Sequence, residues 1–249
     1  LVGARVVARP RTALAAGLAL VLALGTPALA LQLGQTDGGD APRSTQTRRY
    51  TDIVAAGFGP GANGPLTVVA VPGTPDAAVA DLARRIRETP GVASVSPPRP
   101  AGEGATVLTV TPQTAPGDPA TAELVQRLRA DGGAGVHVGG ATAVRVDLGA
   151  RIAERLPAVL AAVIALGAVL LLVQFRSVIV ALKAVAMNVI SIGAGYGAVV
   201  LVVQEGLAAD VIGLDGPVPV DAYVPLMLFV VLFGLSMDYE VFLLSRIRE

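Results

Sequence analysis

An α-helical membrane bundle of four transmembrane helices, carrying an inserted α+β ferredoxin-like (βαββαβ) extracytoplasmic domain, is the fold class this sequence predicts. Three observations predict it. The 249 residues are 53% hydrophobic and 15% charged, against roughly 45–50% and about 25% in soluble domains. Four stretches reach the ~20 mostly apolar residues that a bilayer core requires of a helix. Between the first and the second lies a long insert whose composition turns to charges of both signs, Pro, Gly and Thr.

The first span is 13–31, preceded by a short cytoplasmic segment, 1–12, with Arg5, Arg9 and Arg11. Arg9 and Arg11, with the Ala28-Leu29-Ala30 pattern, also fit a cleavable signal peptide, and a secreted domain would follow. The three later spans favour a retained helix. The second span, 156–175, has no charge, and the third, 178–203, only Lys183 near its start. The fourth, 224–244, is apolar except for Ser236, Asp238, Tyr239 and Glu240, and 245–249 is read as a truncated cytoplasmic end. Arg176, Lys183, Arg246 and Arg248 flank the same side as the N-terminal arginines. The loop 204–223 carries Glu205, Asp210, Asp215 and Asp221 and no base. The positive-inside rule then puts both termini in the cytoplasm of a multi-pass cell-membrane protein, with the loop and the insert 32–155 outside.

Within the insert, 44–56 reads as a helix with Tyr50, Ile53, Val54 and Gly57 on one stripe, and 57–64 (GFGPGANG) as a loop. Leu66–Val71 is β-rich. Thr74-Pro75 reads as a cap followed by proline at the first helical position. That helix runs to Glu88 with Val79, Leu82, Ala83 and Ile86 on one face. Strands follow at 92–96 and 105–111. A second helix starts at Asp118-Pro119 with Leu124, Val125 and Leu128 inward, and a short strand at 135–138 closes the unit. The succession is a split β-α-β-β-α-β unit, a fold that hosts many functions and names none.

Net charge is zero, so there is no basic surplus for nucleic-acid phosphates. There is no cysteine and one histidine, His137, in a strand, which excludes thiolate metal sites and thiol catalysis. No phosphate-binding loop, nucleophile elbow or metal cluster is present. The sequence therefore predicts no enzyme, no metal and no cofactor.

Asp238 is the most informative residue. A carboxyl in a spanning helix costs about 2.5–3.5 kcal/mol on insertion scales and is kept where it faces a bundle interior, a cavity or a partner. Helical periodicity puts it with Val231, Gly234 and Ser245, a narrow small-residue face. Tyr239 follows as a second titratable group, able to donate to a carboxylate on a neighbouring helix. The pair reads as a proton relay; the alternative is a structural interhelical hydrogen bond. Glu240 points almost oppositely, at about the depth of Lys183, and reads as half of an ion pair with it or as a headgroup-level charge. On the third span Asn188, Ser191 and Gly195 share a face, and 193–197 (GAGYG) carries small residues at close-packing spacing.

The stretch 233–249 (FGLSMDYEVFLLSRIRE) closely resembles a signature of the MMPL family, membrane proteins of the resistance–nodulation–division (RND) superfamily. Residues 57–66 (GFGPGANGPL), 138–143 (VGGATA) and 174–177 (QFRS) fit it more weakly. The resemblance implies two similar halves in the complete protein, each with one helix, a porter domain and five helices. This chain corresponds to spans seven to ten with the second porter domain, and its N-terminal half is a missing partner. It also implies a proton-motive-force-driven exporter of lipids or other hydrophobic compounds, drugs included, working in the lipid bilayer and open to oligomerisation. The family's tenth-helix relay pair maps onto Asp238 and Tyr239. The competing readings are a protein-translocation accessory of SecDF type and a non-transporting membrane receptor or lipid-binding module.

Overall fold

The computed structural model describes the backbone of residues 8–248 and the side chains of residues 8–237 and of Tyr239. Its elements are α1 (Pro10–Gly25), α2 (Gln46–Phe58), β1 (Leu66–Ala70), α3 (Asp76–Glu88), β2 (Val92–Val95), β3 (Arg99–Pro100), β4 (Thr106–Pro112), α4 (Pro119–Gly132), β5 (Val136–Gly139), α5 (Ala141–Phe175), α6 (Val178–Val199) and α7 (Val224–Arg248). The chain forms two compact units. One is apolar and helical, with Leu1–Leu33, Ile152–Ile212 and Gly216–Glu249; the other is mixed, with Gly34–Arg151 and Gly213–Asp215.

In the apolar unit three helices are long and apolar enough to cross a membrane: Pro10–Ala30, Ala141–Phe175 and Val178–Gln204. The expected fourth span is described as an apolar helix only over Val224–Met237, although α7 runs on to Arg248. Three spans are therefore counted among the described residues, and the rest of the expected fourth, 238–244, lies outside them apart from Tyr239. The second span is also part of a longer helix than expected. α5 starts at Ala141, fifteen residues before the apolar run, and carries Pro157 inside it. Between α5 and α6 the chain reverses at Arg176, in the left-handed region with φ 49°, and Ser177 caps α6 by accepting from the Val180 amide.

The helices make two apolar clusters. Ile192, Phe229 and Phe233 form one, with the Phe229 and Phe233 rings stacked 5.3 Å apart. Leu171, Phe175, Ala181 and Ala184 form the other. Glycine sets the closest approach: a Cβ on Gly197 would fall onto the Leu24 carbonyl oxygen, so α1 and α6 meet backbone to backbone there. At the end of α6 the Gln204 amide accepts from the Gln32 amide and donates to the Ala30 carbonyl, both at 3.0 Å. The outward faces remain apolar: Leu166, Val173 and Val178 are 61%, 70% and 69% exposed. A soluble protein rarely leaves so much apolar surface uncovered, and a hydrocarbon surrounding removes the cost.

The mixed unit is an antiparallel sheet in the order β2-β4-β1-β5, with β3 pairing the start of β4. Val68 stands opposite Leu108 on one side and Val138 on the other. Alternation puts Leu66, Val68, Ala70, Leu108 and Val110 on one face, all fully buried. Helices α3 and α4 cover that face with Val79, Leu82, Ile86, Leu124, Val125 and Leu128. Asp118 caps α4, its carboxylate accepting from the Ala120 amide at 2.8 Å.

One local expectation is corrected. Thr74 does not cap α3; its hydroxyl donates back to the Val71 carbonyl at 2.7 Å. Pro75 takes the cap position, its carbonyl accepting from the Ala78 and Val79 amides. On α2 no residue is buried, and Tyr50, Ile53 and Phe58 are 67%, 72% and 77% exposed. Amphipathic periodicity marks an apolar face without saying what covers it.

Candidate functional site

The intramembrane polar residues lie along the α6–α7 interface. Antiparallel packing brings Tyr196 to the start of α7, where its hydroxyl donates to the Pro225 carbonyl at 2.7 Å. One rung on, Gly195 makes room for Leu232, whose Cδ1 fills the place of a Cβ. Ile192 packs on the Phe229 and Phe233 pair. The last rung is polar: the Ser236 hydroxyl donates to the Asn188 side-chain oxygen. Asn188 is 1% exposed. On its other side α7 meets α5, where Gly167 lies against the Phe233 ring and near the Met237 sulfur.

These contacts occupy one side of α7. The opposite side is open: Met227 and Val231 are 65% and 62% exposed, and a Cβ added at Gly234 would meet nothing within 4 Å. By helical periodicity position 238 belongs to this open stripe, seven residues after Val231 and four after Gly234. The Asp238, Glu240 and Ser245 side chains lie outside the described residues. Tyr239 is 64% exposed.

The expected packing set is therefore divided. Asn188 faces α7, but its described partner is Ser236. Ser191 is exposed rather than at the interface, because the buried α6 stripe runs through Ala184, Asn188 and Ile192. Gly234 packs closely against nothing among the described residues. Lys183 is exposed and forms no ion pair among the described residues. Ser236 stood out in the sequence as a polar residue in an apolar run, which was the available signal, but its phase relative to Asn188 was not readable.

In the mixed unit a two-pronged ion pair that sequence reasoning missed joins Arg129 at the end of α4 to Asp147 near the start of α5. One prong, Arg129 Nη2 to Asp147 Oδ2, is 2.8 Å, and the same nitrogen donates to the Val138 carbonyl at 3.1 Å. Hydrogen bonding from Arg129 holds the Asp147 carboxyl below its usual range, with attraction from Arg129 and Arg151 adding to it against some desolvation. The guanidinium is raised in turn, mainly by the same hydrogen bond. Arg129 thus joins α4, β5 and the first turns of α5. His137 is exposed on β5 opposite Val69. Among the described residues no group of three or more His, Cys, Asp or Glu side chains could hold a metal.

The MMPL family model matches residues 105–249. Membrane protein YdfJ of Bacillus subtilis is 36% identical over 238 residues, covering 92% of this chain and 33% of that protein. The heme uptake protein MmpL11 of Mycobacterium tuberculosis is 37% identical over 251 residues, covering 96% of this chain and 26% of that one. The mycolic acid-containing lipids exporter MmpL11 of Mycolicibacterium smegmatis is 34% identical over 259 residues, with 98% and 27% covered. The chain thus spans about a quarter to a third of the length of these relatives.

Proposed function

Because the chain belongs to the MMPL family of membrane transport proteins, we propose that it is part of a proton-motive-force-driven exporter of lipids or other hydrophobic compounds, with Asp238 and Tyr239 as its proton relay. One observation carries the relay. By helical periodicity position 238 falls in line with Met227, Val231 and Gly234, a stripe of α7 left uncovered among the described residues. A carboxyl on a lipid-facing stripe is expensive, whereas an open glycine admits another helix closely. The stripe is therefore the docking face for the other half of the transporter, and Tyr239 adds a hydroxyl beside it.

The physical logic is an exchange of charge for packing. A desolvated carboxyl binds a proton more readily. Its neutralisation removes the cost of an uncompensated charge and shifts the balance between two helix packings. Each proton crossing supplies about 2.3 kcal/mol per 100 mV of membrane potential. The mixed unit acts as an extracytoplasmic porter domain of ferredoxin-like topology, with α5 running on from β5. The relatives named for lipid export and for heme uptake both handle large amphiphiles, which supports a hydrophobic cargo here.

The test is Asp238→Asn in the complete transporter, reconstituted in proteoliposomes with an imposed proton gradient. Proton-coupled transport is expected to disappear at normal abundance and folding. Transport and proton flux at wild-type rates would refute the relay and leave Asp238 as a structural hydrogen-bonding residue.

A further inference from the structure

We propose that Asn188 and Ser236 are positioning residues whose hydrogen bond sets the rotation of α7 and thereby the aim of position 238. The proposal rests on the relay reading above. Lipid is as apolar as a leucine side chain, so apolar contacts alone hold a helix weakly against rotation about its own axis. The other described contacts of α7 with α6 and α5 tolerate such rotation. The stacked Phe229 and Phe233 rings and Leu232 against Gly195 are apolar, and the Tyr196 bond goes to the Pro225 carbonyl near the helix start. The bond from Ser236 to the buried Asn188 is different. It is directional, made by side chain to side chain, and lies two residues from the carboxyl.

Two residues along an α-helix are a rise of about 3 Å and a turn of about 200°. Pinning Ser236 toward α6 therefore turns position 238 to the far side of α7, the side on which Met227, Val231 and Gly234 are uncovered. Neither an amide nor an aliphatic hydroxyl titrates, so the bond persists whether the relay carboxyl is charged or neutral. It is a fixed pivot beside a changing charge. The titratable groups on these helices are Lys183 and Tyr196 on α6 and Asp238, Tyr239, Glu240, Arg246 and Arg248 on α7; the apolar runs 13–31 and 156–175 carry none.

The experiment measures the pH profile of proton flux in the reconstituted complete transporter for Ser236→Ala, Asn188→Ala, the double variant, Ser236→Thr and Asp238→Asn. The midpoint of the profile does not depend on how much protein folds, so a loss of abundance leaves it readable. With Asp238→Asn inactive, Ser236→Ala and Asn188→Ala are each expected to move the midpoint by at least about half a pH unit in the same direction. Each should also slow the flux about ten-fold, and the double variant should be no worse than Asn188→Ala alone, because the bond to Ser236 is lost in both. Ser236→Thr keeps the hydroxyl and is expected to keep the wild-type midpoint. An unchanged midpoint in both single variants, or effects that add, overturns the positioning role and leaves the relay standing. Wild-type flux in Asp238→Asn removes the relay and this proposal together.

Discussion

Gly193 and Gly197 sit one turn apart on α6 and should respond oppositely to the same substitution. A Cβ at Gly193 meets nothing within 4 Å, whereas one at Gly197 falls onto the Leu24 carbonyl oxygen. Gly193→Ala therefore gains helix propensity, about 0.8–1.0 kcal/mol, without a steric cost. Gly197→Ala gains the same propensity but forces α1 away from α6. Overpacking of this kind costs about 1–3 kcal/mol, toward the upper end here because the obstructing atom is backbone and cannot change rotamer. The two variants should differ by about 2–3 kcal/mol, or roughly 4–12 °C in apparent melting temperature at 2–4 °C per kcal/mol. The assay is thermal denaturation of the detergent-solubilised complete protein followed by size-exclusion chromatography. Equal melting temperatures for the two alanine variants would refute the close approach of α1 to α6.

Two further outcomes follow from the mixed unit. The Asp147 carboxyl is held below its usual value in the folded chain. Its stabilisation is therefore fully present above the unfolded pKa of about 3.9 and lost as pH falls through the lower folded value. Asp147→Asn should lower the melting temperature slightly at pH 7, by less than about 1 kcal/mol because the carboxylate is 52% exposed. The difference should vanish in strong acid, and a difference that grows on acidification would contradict the ion pair. Leu108→Ala removes a fully buried side chain from the central strand β4 and should cost about 2–5 kcal/mol. Proteolytic susceptibility within 34–151 reports it, and unchanged protection would show that Leu108 is not core.

The features legible in the sequence are those a single segment decides for itself. A run of ~20 apolar residues has nowhere cheaper to go than a bilayer, so three spans were readable from composition alone. β-rich composition marked 66–71 and 105–111 as strands, and helical periodicity put Val79, Leu82 and Ile86 on one face of α3, the face the core buries. Asp118 before Pro119 marked a helix start.

What only the tertiary structure decided is how segments meet. Rotation about a helix axis leaves the sequence of that helix unchanged, and many phases bury similar apolar area. Asn188 with Ser191 and Gly195 could not be separated by pattern, yet packing buries Asn188 against Ser236 and leaves Ser191 outside. Gly193 and Gly197 look alike in sequence, and only the approach of α1 makes one indispensable. The periodicity of α2 marks a stripe with Tyr50 and Ile53, and only packing decides that no residue of that helix is buried. Arg129 and Asp147 are eighteen residues apart with a strand between them, so their ion pair exists only because β5 turns the chain back beside α4. Local free energies select the elements; the contacts between elements depend on phase and distance, which no single segment encodes.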